Sequence, residues 1–161
     1  MLDALRWPAR WPALLVSLQT GRVWLSMVVV AELYAGTRSR EDAVIFDRIT
    51  TTMNRIERLL VPDAADWARA GRLLARRVRL EGALQPRDHL ADVLILISAA
   101  RLGAEVVTLN LRHFQAWARL ARTAGLDVVV RPSEGSSYPA QPRRCDTMLT
   151  SRRWLWSPGA D

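Results

Sequence analysis

Between residues 21 and 131 the chain alternates short apolar runs with stretches in which apolar side chains recur every three or four residues. Arg22-Val23-Trp24-Leu25-Ser26 predicts a short buried strand that runs directly into a helix over Val28–Ala35, ending near Gly36. From Glu41 to Leu60, the side chains of Ile45, Ile49, Met53, Ile56 and Leu60 share one helical face. Asp63, after Pro62, predicts the cap of a further amphipathic helix that stops by Gly82. Trp67, Gly71, Leu74 and Val78 lie on its apolar side, and Arg69, Arg72, Arg76 and Arg79 form a stripe opposite. Asp88–Leu102 is apolar nearly all round, which predicts a buried helix.

Gly103 ends that helix, and Ala104–Thr108 predicts a short strand leading to Leu109-Asn110. A helix over 114–124 and a strand over Leu126–Val130 follow. Helix, strand, helix and strand with short connections require parallel strands joined by crossovers. The predicted class is therefore α/β, with helices on both faces of a parallel sheet. From Arg131 onward periodicity stops and Pro, Ser, Gly and Arg dominate. This divides the chain into a domain at 1–131 and an irregular basic tail at 132–161.

Composition narrows the function classes. The 161 residues suffice for one core and leave little room for a second. The net charge is +7, and all 23 basic residues are arginine. An excess of that size favours an anionic partner, either nucleic acid or an acidic protein segment. The lone cysteine, Cys145, excludes an internal disulfide and a cysteine-based zinc site. No apolar run reaches the roughly 20 residues of a membrane span, so no membrane partner is expected and a soluble, reducing compartment, the cytoplasm, is the default.

In an open parallel sheet, ligands bind beyond the carboxyl ends of the strands. Ser26 ends one predicted strand, and Thr108 with Asn110 ends another. Asp92 sits in the first turn of the apolar helix, among Leu90, Val93, Leu94, Ile95, Leu96 and Ile97. A carboxylate buried there costs several kcal/mol unless a cation or donors meet it. The plain structural alternative is that Asp92 only complements the positive end of its helix dipole, worth about 0.3–1 kcal/mol. Glu32 poses the same choice, being the only charge between Arg22 and Arg38. Two carboxylates from apolar helices, both aimed at the strand ends, would suit a hard divalent ion such as magnesium. With arginines around it, such a site could activate water against a phosphodiester. His89 and His113 show no metal-ligand spacing with each other or with Cys145, and read as surface or capping histidines. The arginine stripe reads as a solvated face or as a track for a phosphate backbone. Trp154 and Trp156, beside Arg152-Arg153, offer rings for base stacking.

Three segments together resemble a known family. Val23-Trp24-Leu25-Ser26 through Ala31-Glu32-Leu33-Tyr34-Ala35-Gly36 resembles the strand and "AEL..G" segment of PIN-domain ribonucleases of the VapC toxin type. His89-Leu90-Ala91-Asp92-Val93-Leu94-Ile95 and the residues after it look like their "D-x-L-I-x-x-x-A" helix. Val107-Thr108-Leu109-Asn110-Leu111-Arg112-His113-Phe114 is similar to their "VTxNxxxF" strand end. The resemblance spans about residues 14–131. It implies a three-layer α/β/α fold and magnesium- or manganese-dependent cleavage of RNA by a type II toxin, with a cognate antitoxin as partner and a homodimer as assembly. Carried onto this chain, Glu32 and Asp92 match two of the metal-holding carboxylates, and Asn110 with Thr108 falls at the family's last polar contact. His113 stands where many members carry an acid.

The front of the chain departs from the family pattern. Relatives open with a strand ending in Asp-Thr/Ser-Asn, whose Asp holds metal, whereas here Asp3 is followed by Ala4-Leu5. Asp3 is either a degenerate first acid or the start lies inside the true gene, leaving the first strand truncated; the second reading is preferred. The alternative function is a PIN-like module, impaired at its first acid, that binds RNA or an antitoxin without cutting. A DNA-binding regulator built on the arginine stripe ranks below both, because Gly82 and Pro86 bound a loop rather than a tight turn into a recognition helix.

Overall fold

A computed structural model of the protein describes residues 23–82, 84–132 and 147–149. In chain order the elements are β1 (Val23–Ser26), α1 (Met27–Ala35), α2 (Arg40–Arg55), β2 (Leu59–Leu60), α3 (Ala64–Glu81), a single 3-10 turn at Pro86–Asp88, α4 (Leu90–Leu102), β3 (Glu105–Thr108), α5 (Leu111–Arg122), β4 (Val130–Pro132) and β5 (Thr147–Leu149). The strands form one sheet in the order β2-β1-β5-β3-β4, and every pairing is parallel. Helices sandwich the sheet in the expected three-layer α/β/α arrangement.

Local chemistry explains the boundaries of the elements that frame the carboxyl edge. Val23, Leu25 and Ser26 are all buried, as expected of a strand covered on both faces. The Ser26 hydroxyl then accepts the N–H of Val28 at 3.2 Å and caps α1, so strand passes into helix without a loop. In α4 every residue from Asp92 to Ala99 is buried, which makes this helix the centre of its layer. It ends at Gly103, whose φ of 63° lets Gly103 N–H reach Ala100 O at 3.2 Å and Ala104 N–H reach Ala99 O at 3.0 Å. Since α4 feeds β3 through only Gly103 and Ala104, its first turn must lie beside the far, carboxyl end of β3. The helix α5 leaves from that same end.

Four details differ from the sequence expectations. The helix from Glu41 stops at Arg55, and Leu60 belongs to a strand. The cause is a reversal at Glu57, which takes the left-handed φ of 55° while Arg58 N–H closes on Met53 O at 2.8 Å. Along α3 the buried residues are Asp66, Ala70, Leu73 and Leu74, whereas Trp67 is 51% exposed and Gly71 lies at the surface. Two helical stripes, one residue out of phase, compete in this segment. The one that wins buries a charged residue, which a hydrophobicity count rejects. The last strand of the domain runs over Val130–Pro132 rather than Leu126–Val130. Finally, Thr147–Leu149, expected to belong to an irregular tail, forms a strand between β1 and β3, in register with Val23–Leu25 on one side and Glu105–Val107 on the other.

Asp66 owes its burial to a complete set of donors. Its carboxylate accepts from Ser98 Oγ at 3.1 Å, from the backbone N–H of Asp63 at 3.2 Å, and from Arg101, whose terminal nitrogen lies 3.0 Å away. In return the Asp66 N–H bonds the Asp63 carboxylate at 2.8 Å, completing a reciprocal cap on α3. This cluster fixes α3 against α4. Among the described residues, no helix is long and apolar enough to cross a membrane.

Two stability predictions follow from this clamp. Asp66→Ala leaves Ser98 without its acceptor and Arg101 without its buried partner. It is expected to cost about 2–4 kcal/mol in denaturant unfolding, less than a fully buried pair because Arg101 keeps contact with water. The bond from the Asp66 N–H holds the Asp63 carboxyl below the usual carboxylate range. A carboxylate whose pKa falls on folding contributes stability above its unfolded pKa and loses it as pH drops through the folded one. Thermal unfolding followed from pH 6 to pH 3 should therefore show a steeper acid loss for the wild type than for Asp63→Asn.

Candidate active site

The carboxyl edge of the sheet gathers polar residues from three elements. Asp92, in the first turn of α4, has no exposed surface, and its Oδ2 lies 2.8 Å from Nε2 of His113. His113 belongs to the first turn of α5, which starts where β3 ends. His89 sits at the N-cap of α4, one helical turn before Asp92, and makes no side-chain capping bond there. Its ring stacks on that of His113, with centroids 5.1 Å apart and planes 21° from parallel. One ligand atom from each of His89, Asp92 and His113 can be chosen so that all lie within 4.8 Å of one another. Among the described residues this is the one group of three or more His, Cys, Asp or Glu side chains close enough to share an ion.

Trp117 supports both rings from beneath. It is fully buried on α5, one turn beyond His113, and its ring centroid lies 5.6 Å from that of His89 and 6.3 Å from that of His113. Its indole N–H points at Nε2 of His113 across 3.1 Å. One ring nitrogen cannot offer a proton to Asp92 and a lone pair to Trp117 at the same time, so His113 serves one neighbour or the other. On another side of Trp117, the guanidinium of Arg77 from α3 lies 4.2 Å from the ring centroid and also pairs with Glu81 at 2.9 Å. The rings are thus backed by a packed aromatic whose own position is set by α3.

The residues expected at this edge take different parts. Asp92 is buried at the centre of the cluster. Thr108 is buried at the end of β3, where its hydroxyl accepts the Asn110 N–H at 3.0 Å and forms the turn into α5. Asn110 is the N-cap residue of α5 but makes no side-chain capping bond. Glu32 is half-buried in the second turn of α1, a helix that packs against α4, and lies outside the three-residue group. Of the arginine stripe, Arg69, Arg72 and Arg79 are exposed, while Arg76 donates to Thr123 O at 3.2 Å. Asp3, Cys145, Trp154 and Trp156 fall outside the described residues.

The two histidines need correction. They were expected at the surface, without ligand spacing, yet both converge on Asp92. Spacing alone could have placed His89 on the same helical face as Asp92, three residues on. His113 arrives from another helix after a strand and a turn, and only the crossover brings it near.

A model of the PIN domain family matches residues 8–120. The chain belongs to the PIN domain family. No curated protein and no solved structure matches it. PIN domains are typically nucleases that need a divalent metal, and a buried carboxylate at the carboxyl edge of the sheet is where such chemistry would be placed. The donors present, one carboxylate and two imidazoles, are able to hold a cation.

Proposed function

We propose that this protein is a metal-dependent endoribonuclease, acting as the toxin of a type II toxin–antitoxin pair in the cytoplasm. One observation carries the nuclease reading: in a PIN domain, Asp92 is wholly buried at the carboxyl edge of the sheet, beside two partly exposed imidazoles. Asp92, with Glu32 from α1, would hold Mg²⁺ or Mn²⁺. A bound ion supplies Lewis-acid polarisation of the scissile phosphate and a water of lowered pKa.

The chain's own side chains do the rest. The Thr108–Asn110 turn sets where α5 begins and hence where His113 meets Asp92. The Asn110 side chain makes no capping bond, and with Thr108 it would offer polar contacts at the site. The exposed arginines of α3 would draw in the RNA backbone, an attraction that weakens with salt. The same positive surface suits an acidic antitoxin segment, and a homodimer is the expected assembly.

A second reading has an observation of its own. The cluster around Asp92 brings two imidazoles rather than further carboxylates, and Nε2 of His113 already stands 2.8 Å from the Asp92 carboxylate. The protein would then be a PIN module that binds RNA or an antitoxin without cutting. Cleavage of a mixed RNA pool by the purified full chain separates the two. The nuclease reading predicts cleavage that is abolished by EDTA, restored by added Mg²⁺ or Mn²⁺, and lowered more than ~100-fold in Asp92→Asn. Cleavage untouched by EDTA, or undiminished in Asp92→Asn, contradicts it. RNA retention with no cleavage under any metal supports the binding module.

A further inference from the structure

The carboxyl-edge cluster is unlike a nest of carboxylates in one respect: two of its three donors are nitrogens. We propose that His89, Asp92 and His113 form a two-imidazole, one-carboxylate site selective for a first-row transition ion over Mg²⁺. The inference rests on the preceding reading for what the ion would be used for, but on its own geometry for binding.

The distances fit two neighbouring ligands of one ion. Bonds of about 2.1 Å to imidazole nitrogen and carboxylate oxygen, at a right angle, place the two ligand atoms ~3 Å apart. His113 Nε2 and Asp92 Oδ2 stand 2.8 Å apart. The third ring is nearly parallel to the second, so the two imidazoles present their edges side by side, and a ligand atom of His89 comes within 4.8 Å of both partners.

The support is also of the kind a metal site needs. Outer groups that fix the ligands govern affinity nearly as strongly as the ligands themselves. Here Asp92 is locked in the most buried helix of the layer, and Trp117 packs under both rings with Arg77 over its own. His89 and His113 remain partly open to solvent, which leaves an entry path and room for water or substrate.

Ligand softness decides which ion. Magnesium binds through oxygen, and one carboxylate is a poor substitute for the oxygen set it prefers. Imidazole suits zinc, iron, nickel and copper, and affinity at mixed nitrogen and oxygen sites rises from manganese through cobalt. Two histidines and one carboxylate on one side of an ion leave its other positions open, the arrangement of catalytic rather than structural sites.

The test is calorimetric titration of the full-length, chelator-stripped protein with MgCl₂, MnCl₂ and CoCl₂. One ion per chain is expected, with affinity rising in the order Mg²⁺, Mn²⁺, Co²⁺. His89→Gln and His113→Gln should each weaken Co²⁺ binding at least ~10-fold while leaving Mg²⁺ binding unchanged. Equal affinity for Mg²⁺ and Co²⁺, or histidine variants that keep full Co²⁺ affinity, overturn the site. Because His113 also touches Trp117, a reading free of variants is needed. Substoichiometric Mn²⁺ should broaden the ring-proton NMR signals of His89 and His113 in the wild type before any others, and sharp signals from both rings overturn the site. RNA cleavage on the same samples keeps the two ideas apart. Co²⁺ binding through the histidines without cleavage retains the site and sinks the nuclease, whereas metal-dependent cleavage by a protein whose histidine variants keep full Co²⁺ affinity retains the nuclease and sinks the site.

Discussion

A carboxylate without access to water has to be met by something, and that requirement at Asp92 organises the carboxyl edge of the sheet. The helix carrying it is buried from Asp92 to Ala99, so the side chain cannot turn outward without unseating the central helix of its layer. An uncompensated charge there would cost several kcal/mol. The answer comes from α5: His113 reaches Asp92 at 2.8 Å because the Thr108–Asn110 turn starts α5 directly at the end of β3. Strand end, turn and helix start are thereby tied to one buried oxygen.

The contrast with Asp66 shows how environment assigns the job. Both aspartates are fully buried in neighbouring helices. Asp66 is surrounded by donors on several sides, from Ser98, Arg101 and the backbone of its own cap, and it clamps two helices together. Asp92 instead faces imidazoles at the rim of the sheet, where strands end and solvent begins. Residue type and burial are the same, and the surrounding donors are what distinguish the two positions.

Much of this was legible in the residues. The α/β class and the burial of Asp92 both follow from apolar periodicity and a single misplaced charge. The phase of α3 was not legible, because the burial of the charged Asp66 depends on Ser98 and Arg101, 32 and 35 positions away, as well as on its own cap. The end of α2 was missed because Glu57 takes a left-handed conformation that usually announces itself as glycine. His113 was missed for the same reason as Asp66: its partners come from another element, and spacing along one helix says nothing about them. The strand at Thr147–Leu149 carries no periodic signal at three residues in length, and its place follows from pairing on both edges rather than from its own sequence.

Family membership and the chemistry of the edge meet in one claim, that a divalent cation is held between Asp92 and the two imidazoles. Crystals of the full chain soaked in MnCl₂, with diffraction data collected near the manganese absorption edge, test it most directly. One strong anomalous peak is expected within coordinating distance of Asp92, His89 and His113. A map with no peak there, and His113 still paired to Asp92 alone, would contradict it.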